Sequence, residues 1–345
     1  MKELVHSADV QFQLPLLRDD FKSVTGKPFA HFFCPMLHED QPAELCMGHV
    51  INSACPDSFR GRVVQRKDVD GWYGAVFEAE FTTNVLVRAM GIEKAMQDPS
   101  VRKKATVRIL VGEEELEYYE DNGIDVPGHT LMAIHFGQGD PVLLRIKKSK
   151  EELDTLRAKG IQPTFVIGKD ARIPAFVTLV KMAYLSLFRL LGYSYALNPD
   201  GKRIGHDLLG NFFRKHETQT VQEARKAATN FFRPYLNMMR MVSGFTGKGT
   251  DPVGTVEDRL LSACVAPNKT IFALSVYIRT ADQHYSVLLP YYDNPEGEVT
   301  FNKFIENENQ ALTVHKCQIK NKEILIEEQS TVLFWPKNSD EFNFD

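Results

Sequence analysis

The spacing of apolar residues changes along the chain and separates predicted strands from predicted helices. Between Lys27 and Gln65, short apolar runs alternate with Pro, Gly, Asp and Ser, which predicts brief strands joined by loops. Asp68 and Asp70 suit the positive end of a helix dipole, so a helix is predicted to begin near them. The apolar residues that follow fall on one helical face: Val69, Trp72, Tyr73, Val76, Phe77 and Phe81.

The rest of the chain predicts strands, then helices, then strands again. Strands are predicted within 105–147, and helices at 151–160, 173–193 and 221–239. The helix at 173–193 is apolar on most sides, which predicts a buried core helix closed by Gly192. The C-terminal part has short apolar runs between polar turns, which favours antiparallel strands.

These patterns predict an α+β protein with three regions. Residues 1–98 hold a strand–strand–helix element, and residues 99–245 hold strands and core helices. Residues 246–345 hold antiparallel strands, which can form one domain with the preceding region. The best linker candidate is Ser243–Thr255, because it combines four glycines with a proline.

The composition is that of a folded chain. Its 345 residues, 43% of them hydrophobic, are enough to bury a large core. We predict a cytoplasmic protein without membrane contact, because no window approaches the ~18 uninterrupted apolar residues of a membrane span and the N-terminus has no apolar signal segment. Five cysteines are too few and too scattered for a disulfide framework, so we expect reduced thiols.

The net charge of −4 argues against a protein that coats nucleic acid nonspecifically, since such binding rests on many Lys and Arg contacts to phosphate. A local basic groove stays open, with candidates at Val101–Arg108 and Arg145–Lys150. Charge runs of this length are more often solvated faces.

A cluster of thiols and imidazoles is the first candidate for chemistry. Cys34, His38, Cys46 and His49 form the pattern C-x3-H-x7-C-x2-H, and these side chains would suffice for a tetrahedral structural zinc. The gaps match no familiar zinc knuckle, and cysteine is commonly a small buried apolar residue. Packing in the core is therefore the competing interpretation.

A second candidate starts from His49. The order "GHVIN", loop, strand "RVVQR" and helix "KDVDGWYGAVFEAEF" is the layout of a two-strand-plus-helix metal nuclease site. In that chemistry a histidine takes a proton from the attacking water, and a ligand at the helix start fixes a divalent ion on the phosphate.

These residues resemble the HNH endonuclease superfamily, whose active site is a ββα element. "CPML", "GHVIN" and "QRKDVDGWYG" are similar to the first thiol pair, the Glu-His-Ile-Ile-Pro strand and the helix start of that family. The segment 31–85 also resembles bacterial proteins of unassigned activity that share Cys-x-x-His-Ile-Val-Asn and Gln-Arg-Lys-Asp-Val-Asp-Gly.

The resemblance implies a nuclease that hydrolyses phosphodiester bonds of DNA or RNA with Mg²⁺ or Mn²⁺. His49 would be the general base, and Asp68 or Asp70 would orient it or bind the ion. Two features depart from the family: Gly48 stands where an acid or a second histidine binds metal, and most zinc-binding thiols are missing. The alternative is a noncatalytic binding or regulatory protein that keeps an inactive HNH-like scaffold, with His49 and Asp70 hydrogen-bonded to each other. Glu78, further along the predicted helix, lies on a face that could take part.

Two pairs of neighbours each have a structural and a functional interpretation. His206 and Asp207 could serve catalysis or bind metal, but adjacent helical residues point about 100° apart, which favours a helix cap and a surface histidine. Trp72 and Tyr73 could stack on bases, but their helical spacing favours the core.

Overall fold

The computed structural model describes residues 7–53, 61–83, 107–111, 114–121, 123–134, 141–160, 163–167, 172–232, 242–246, 261–266, 268–280, 283–292, 294–306 and 310–335. Within these ranges helices and antiparallel strands are mixed, so the predicted α+β class is confirmed.

The helices differ widely in length, and two segments have the wider turn of a π-helix. The helices are α1 (Ala8–Thr25), α2 (Lys67–Tyr73), α3 (Lys150–Ala158), α4 (Arg172–Leu191), α5 (Tyr193–Ala196), α6 (Pro199–Lys202), α7 (Asn211–His216), α8 (Val221–Phe232) and α9 (Pro295–Glu306). The π-helical segments are Gly74–Glu78 and Arg203–Gly210. Such segments occur often at functional sites.

The strands pair antiparallel throughout the described residues. The strands are β1 (Phe33–Cys34), β2 (Glu39–Asp40), β3 (Leu45–His49), β4 (Arg62–Arg66), β5 (Val107–Val111), β6 (Glu114–Leu116), β7 (Tyr118–Glu120), β8 (Thr130–Ile134), β9 (Val142–Ile146), β10 (Pro163–Ile167), β11 (Val242–Thr246), β12 (Leu261–Val265), β13 (Ile271–Thr280), β14 (Gln283–Pro290), β15 (Gln310–Lys320) and β16 (Glu323–Trp335). The largest sheet has the order β11-β14-β13-β12-β15-β16, and β1-β2 and β3-β4 are separate pairs.

The chain forms two compact units, and the first is discontinuous in sequence. The first unit joins Met1–Ala79 with Arg172–Asn343, and the second contains Glu80–Ala171 with Phe344–Asp345. The predicted boundary between residues 98 and 99 lies outside the described residues. The boundary between residues 245 and 246 falls inside β11, so the first part of the predicted linker is a paired strand.

The second unit contains two small sheets and α3. The sheet orders are β10-β5-β6 and β7-β9-β8. Ser149 caps α3 by accepting a hydrogen bond from the backbone N–H of Glu152, whose side chain accepts one from Ser149 in return. Of the basic run Arg145–Lys150, Arg145 is buried and ion-paired with Asp121 and Asp125, so this part of the run is not a free cationic surface.

The core of the first unit surrounds α4, which packs on β13, β14 and the segment Gly74–Glu78. Its apolar side chains from Ala175 to Leu191 are almost all buried, as the prediction for 173–193 requires. Each buried Leu, Val or Phe contributes about 1.5–3 kcal/mol through the hydrophobic effect. The single lysine in this helix, Lys181, is buried as well, and it leads to the candidate site.

Candidate functional site

The candidate site is built on the hairpin of β3 and β4 and on α2, which follows β4 directly. The register places Cys46 opposite Gln65 and Gly48 opposite Val63. Residues opposite each other and residues two apart share a face of a strand pair, so Cys46, Gly48 and Gln65 lie on one side. Asp70 of α2 faces the same side, because its Oδ2 atom lies 3.8 Å from the Cys46 Sγ atom.

A buried cation from α4 completes this group. The Nζ atom of Lys181 lies 3.1 Å from Asp70 Oδ1 and 2.5 Å from Glu78 Oε1. Its side chain is 1% exposed, against 9% for Glu78 and 27% for Asp70. The aromatic face of Tyr73 lies 5.6 Å from Nζ, so the ammonium is surrounded by negative charge and π density.

The segment Gly74–Glu78 brings Glu78 to the same cation as Asp70. Its widened turn follows α2, and the side chain of Arg225 donates to two of its carbonyls, at 2.6 Å to Val76 and 3.2 Å to Ala75. Asn52 donates to the other oxygen of Glu78 at 3.3 Å. The carboxylate is therefore held from two sides.

The electrostatics keep Lys181 charged and the Cys46 thiol protonated. Burial lowers the pKa of Lys181, but the charges of Glu78 and Asp70 outweigh it and the pKa lies above its ordinary value. Burial and the charge of Asp70 raise the pKa of Cys46 to about 11. A thiol in this state is neither a nucleophile nor a ready metal ligand.

Gly48 leaves room for the Gln65 side chain beside Asp70. A Cβ atom on Gly48 would lie 2.1 Å from Gln65 Nε2 and 3.0 Å from Asp70 Oδ2. Gln65 is 4% exposed, and neither its Nε2 nor its Oε1 atom has a hydrogen-bond partner. An amide in this state costs about 1–3 kcal/mol for each unsatisfied group.

The predicted catalytic residues are placed as follows. His49 ends β3, and strand alternation directs it to the face opposite Cys46 and Gly48. In the described residues the hydrogen bonds of Asp70 go to Lys181 and Cys46. Those of Asp68 go to Arg66 at 3.1 and 2.5 Å and to the backbone of Val69. The roles of His49, Asp68 and Asp70 in metal-dependent hydrolysis stay predictions.

Two of the predicted zinc ligands, Cys34 and His38, contact protein groups other than the remaining predicted ligands. Cys34 is buried, which raises the pKa of its thiol to about 11. His38 has a left-handed backbone with φ of 54°, and its ring lies 5.1 Å from that of His206. Among the described residues no three or more His, Cys, Asp or Glu side chains are grouped to hold a metal ion.

Trp72 and Tyr73 pack against neighbouring elements, and His206 and Asp207 contact each other. Tyr73 is fully buried and donates to the carbonyl of Leu209 at 2.8 Å, and Trp72 packs against Phe212 and Phe213. His206 Nδ1 lies 2.7 Å from Asp207 Oδ1 within Arg203–Gly210, so Asp207 does not cap a helix start.

Sequence reasoning did not find Lys181, Gln65 or Asn52. For Lys181 a signal was present: it is the single charged residue between Ile173 and Phe188, and a cation in the middle of such an apolar stretch has to find a buried anion. For Gln65 and Asn52 the sequence gives no comparable signal, because single amides are common in strands and loops.

Comparison with known proteins identified no relative of this chain. A scan against models of protein families, a search of curated proteins and a search of solved structures each found no match. One described helix, Ile173–Leu191, is long and apolar enough to cross a membrane, but 83% of its window is buried inside the protein, as in a core helix.

Proposed function

We propose that the protein is a noncatalytic binding or regulatory protein that keeps an HNH-like strand–strand–helix element as a scaffold. The observation that carries this proposal is the position of Lys181 Nζ, 3.1 Å from Asp70 and 2.5 Å from Glu78. Asp70 is one of the two carboxylates, with Asp68, that the resemblance offers as metal ligand or orienter of His49. The lysine supplies a fixed positive charge to it, so the carboxylate is neutralised without a divalent ion.

Three neighbouring features support the same function. Gly48 offers no ligand, and the Gln65 amide occupies the space beside it. Partial burial raises the pKa of Asp68, but the bidentate pair with Arg66 and the backbone hydrogen bonds together outweigh it, so this pKa lies below its ordinary value. The protonated thiol of Cys46 is a weak ligand for any metal, since the thiolate is the form that binds.

The competing function is metal-dependent cleavage of DNA or RNA. The chain order β3, β4, α2, with His49 at the end of β3, favours it. In that mechanism His49 takes a proton from water, and Asp68 or Asp70 holds Mg²⁺ or Mn²⁺. A cytoplasmic location suits either function and stays a prediction.

The first experiment measures cleavage of supercoiled plasmid and of structured RNA in Mg²⁺ and Mn²⁺. We expect the wild type and His49→Ala to be equally inactive, because Asp70 is engaged by Lys181. Cleavage by the wild type that is lost in both His49→Ala and Asp70→Asn would establish the nuclease instead.

The second experiment removes the cation. Lys181→Met keeps the length of the side chain but leaves Asp70 and Glu78 unpaired, and it should lower the free energy of unfolding by about 3–5 kcal/mol. Mn²⁺ should raise the melting temperature of Lys181→Met and not that of the wild type, because only in the variant do Asp70 and Glu78 lack their ammonium partner.

The matched control is the double variant Lys181→Met with Asp70→Asn, in which the effect of Mn²⁺ should disappear. Stabilisation of the wild type by Mn²⁺ that depends on Asp70 would contradict the proposal. This outcome can be read even if Lys181→Met does not fold.

A further inference from the structure

We infer that two copies of this chain associate through the outer edge of β16 (Glu323–Trp335), the side of the strand away from β15. The two β16 strands pair antiparallel around a twofold axis and join two six-stranded sheets into one continuous sheet. The site around Lys181 is built from other elements, so this inference goes beyond the proposed function and does not depend on it.

The first observation is the place of β16 in the fold. It is last in the order β11-β14-β13-β12-β15-β16, and within the part of the chain that the structure describes it pairs with β15 alone. The opposite side of its backbone therefore offers N–H and C=O groups to a further strand. Edge strands are commonly protected by short length, lysine or proline, whereas β16 has 13 residues and contains neither Lys nor Pro.

The second observation is the exposure of apolar side chains along this strand. Leu325 is 47% exposed, Ile326 is 41% exposed and Val332 is 64% exposed. Successive residues of a strand point to opposite faces, so Leu325 and Ile326 show that neither face of this part of β16 is fully covered. Exposed aliphatic side chains on an edge strand indicate a surface that associates with another strand.

The order of residues in β16 selects a second copy of the chain as the partner. The strand reads "EILIEEQSTVLFW", with a polar centre between the apolar segments "ILI" and "VLF". When two such strands pair antiparallel around Gln329, apolar residues meet apolar residues, polar residues meet polar residues, and no two glutamates face each other. The facing pairs are Ile324 with Phe334, Leu325 with Leu333, Ile326 with Val332, Glu327 with Thr331, and Glu328 with Ser330.

Other registers lose this match. A shift by one residue sets Ile326 against Thr331 in one direction, or Glu327 against Val332 in the other. A pair centred on Glu327 or Glu328 sets each of these glutamates against its own copy, and like charges directly opposite destabilise a strand pair. The sequence of β16 therefore favours the register centred on Gln329.

A bulge in β16 lies at the centre of this register. His315 pairs with Ser330 and Cys317 pairs with Ile326, so the segment Glu327–Gln329 stands opposite Lys316. The extra residues come as a pair, which keeps the alternation of faces, so Ile326 and the residues after the bulge stay in phase. The apolar segments on both sides of the bulge pair regularly with β15 and present regular edges to a second copy.

Sedimentation velocity of the full chain measures the association. We expect a monomer–dimer equilibrium with a Kd on the order of 1–10 μM, since a pair of strands buries less area than a standard interface. Val332→Lys and Ile326→Glu should each raise this Kd at least about tenfold, because each sets a charge against an apolar side chain. Both positions are exposed, so urea denaturation should give each variant a stability close to that of the wild type.

A mixture of the two variants tests the register. Ile326→Glu in one copy faces Val332→Lys in the other, which gives one pair of opposite charges and leaves the second pair unchanged. The mixed dimer should therefore form with a Kd within about threefold of the wild-type value. The matched control is Leu325→Glu mixed with Val332→Lys: Leu325 points to the other face of the strand, so this mixture should stay monomeric.

A second measurement needs no variant. Hydrogen exchange of the β16 amides in the wild type should slow as the protein concentration rises through the Kd, because these amides become paired. Three results would overturn the inference: a wild type that is monomeric up to about 100 μM with exchange independent of concentration, a dimer that both single variants retain, or equal recovery of the dimer in the Leu325→Glu mixture.

Discussion

At the scale of single residues, Gly48 is the position where sequence and structure inform each other most. The resemblance to HNH nucleases marks it as a missing ligand, and the structure supplies a packing reason for glycine there. Any side chain would meet Gln65 Nε2 at 2.1 Å. The same glycine therefore lacks a side chain that could bind a metal ion and leaves room for the buried amide of Gln65.

Gly48→Ala should lower the free energy of unfolding by about 1–3 kcal/mol, because the new methyl group forces Gln65 out of its position. Urea denaturation measures the change. Gly71→Ala is the control: it lies in α2, no heavy atom lies within 4 Å of its added Cβ, and it should be neutral or stabilise by up to about 1 kcal/mol. A Gly48→Ala protein as stable as the wild type would show that Gln65 moves without cost.

Only some residues of the site could be predicted, because the residues that meet there are far apart in the sequence. Asp70 could be singled out because it lies at a predicted helix start, next to residues that resemble the HNH pattern. Lys181 could not be paired with it, because 111 residues separate the two. Periodicity places Lys181 in a core helix, but it does not say which anion the helix meets.

At the scale of elements, the helix after β4 was predicted, but its π-helical segment Gly74–Glu78 was not. The spacing of Val69, Tyr73, Val76 and Phe77 gives the buried face, and all four are buried. A π-helical turn changes the register by a single residue, which a pattern of apolar positions tolerates. In the C-terminal part, polar turns were predicted between short apolar runs, but β16 continues from Glu323 to Trp335 through the polar residues between two such runs.

Arg225 holds the carbonyls of this π-helical segment, so its removal should loosen the segment. In Arg225→Ala we expect faster hydrogen exchange of the amides between Gly74 and Ala79, with a loss of protection of about 1–3 kcal/mol for the two orphaned carbonyls. Lys226→Ala, at the next and exposed position of α8, should leave exchange there unchanged. Equal exchange in both variants would mean that packing alone maintains the π-helical turn.

At the scale of the whole molecule, the chain leaves the first unit after Ala79 and returns to it at Arg172. The three predicted regions follow the sequence in order and did not anticipate this return. Amino-acid composition and the spacing of apolar residues describe local segments. The packing of α2 against α4 instead rests on a buried ion pair and on apolar contacts between distant parts of the chain.

The first unit should therefore fold without residues 80–171. Replacing them by a Gly/Ser linker of about 12 residues gives a mean reach of about 19 Å between Ala79 and Arg172. Glu78 contacts Lys181, and the start of α4 lies about 14 Å from Lys181 along the helix, so the gap is of similar size. Circular dichroism and a single cooperative urea transition are the readouts. A variant that precipitates or unfolds without cooperativity would show that the second unit is needed for folding of the first.

The position of Lys181 also has a consequence in time. Asp70 and Glu78 are synthesised first, and the cation that neutralises them follows 111 and 103 residues later. At the usual speed of translation this interval is on the order of ten seconds. During it the hairpin of β3 and β4 and the helix α2 carry two uncompensated carboxylates at a future buried surface. The N-terminal element therefore reaches its final packing only after α4 has been synthesised.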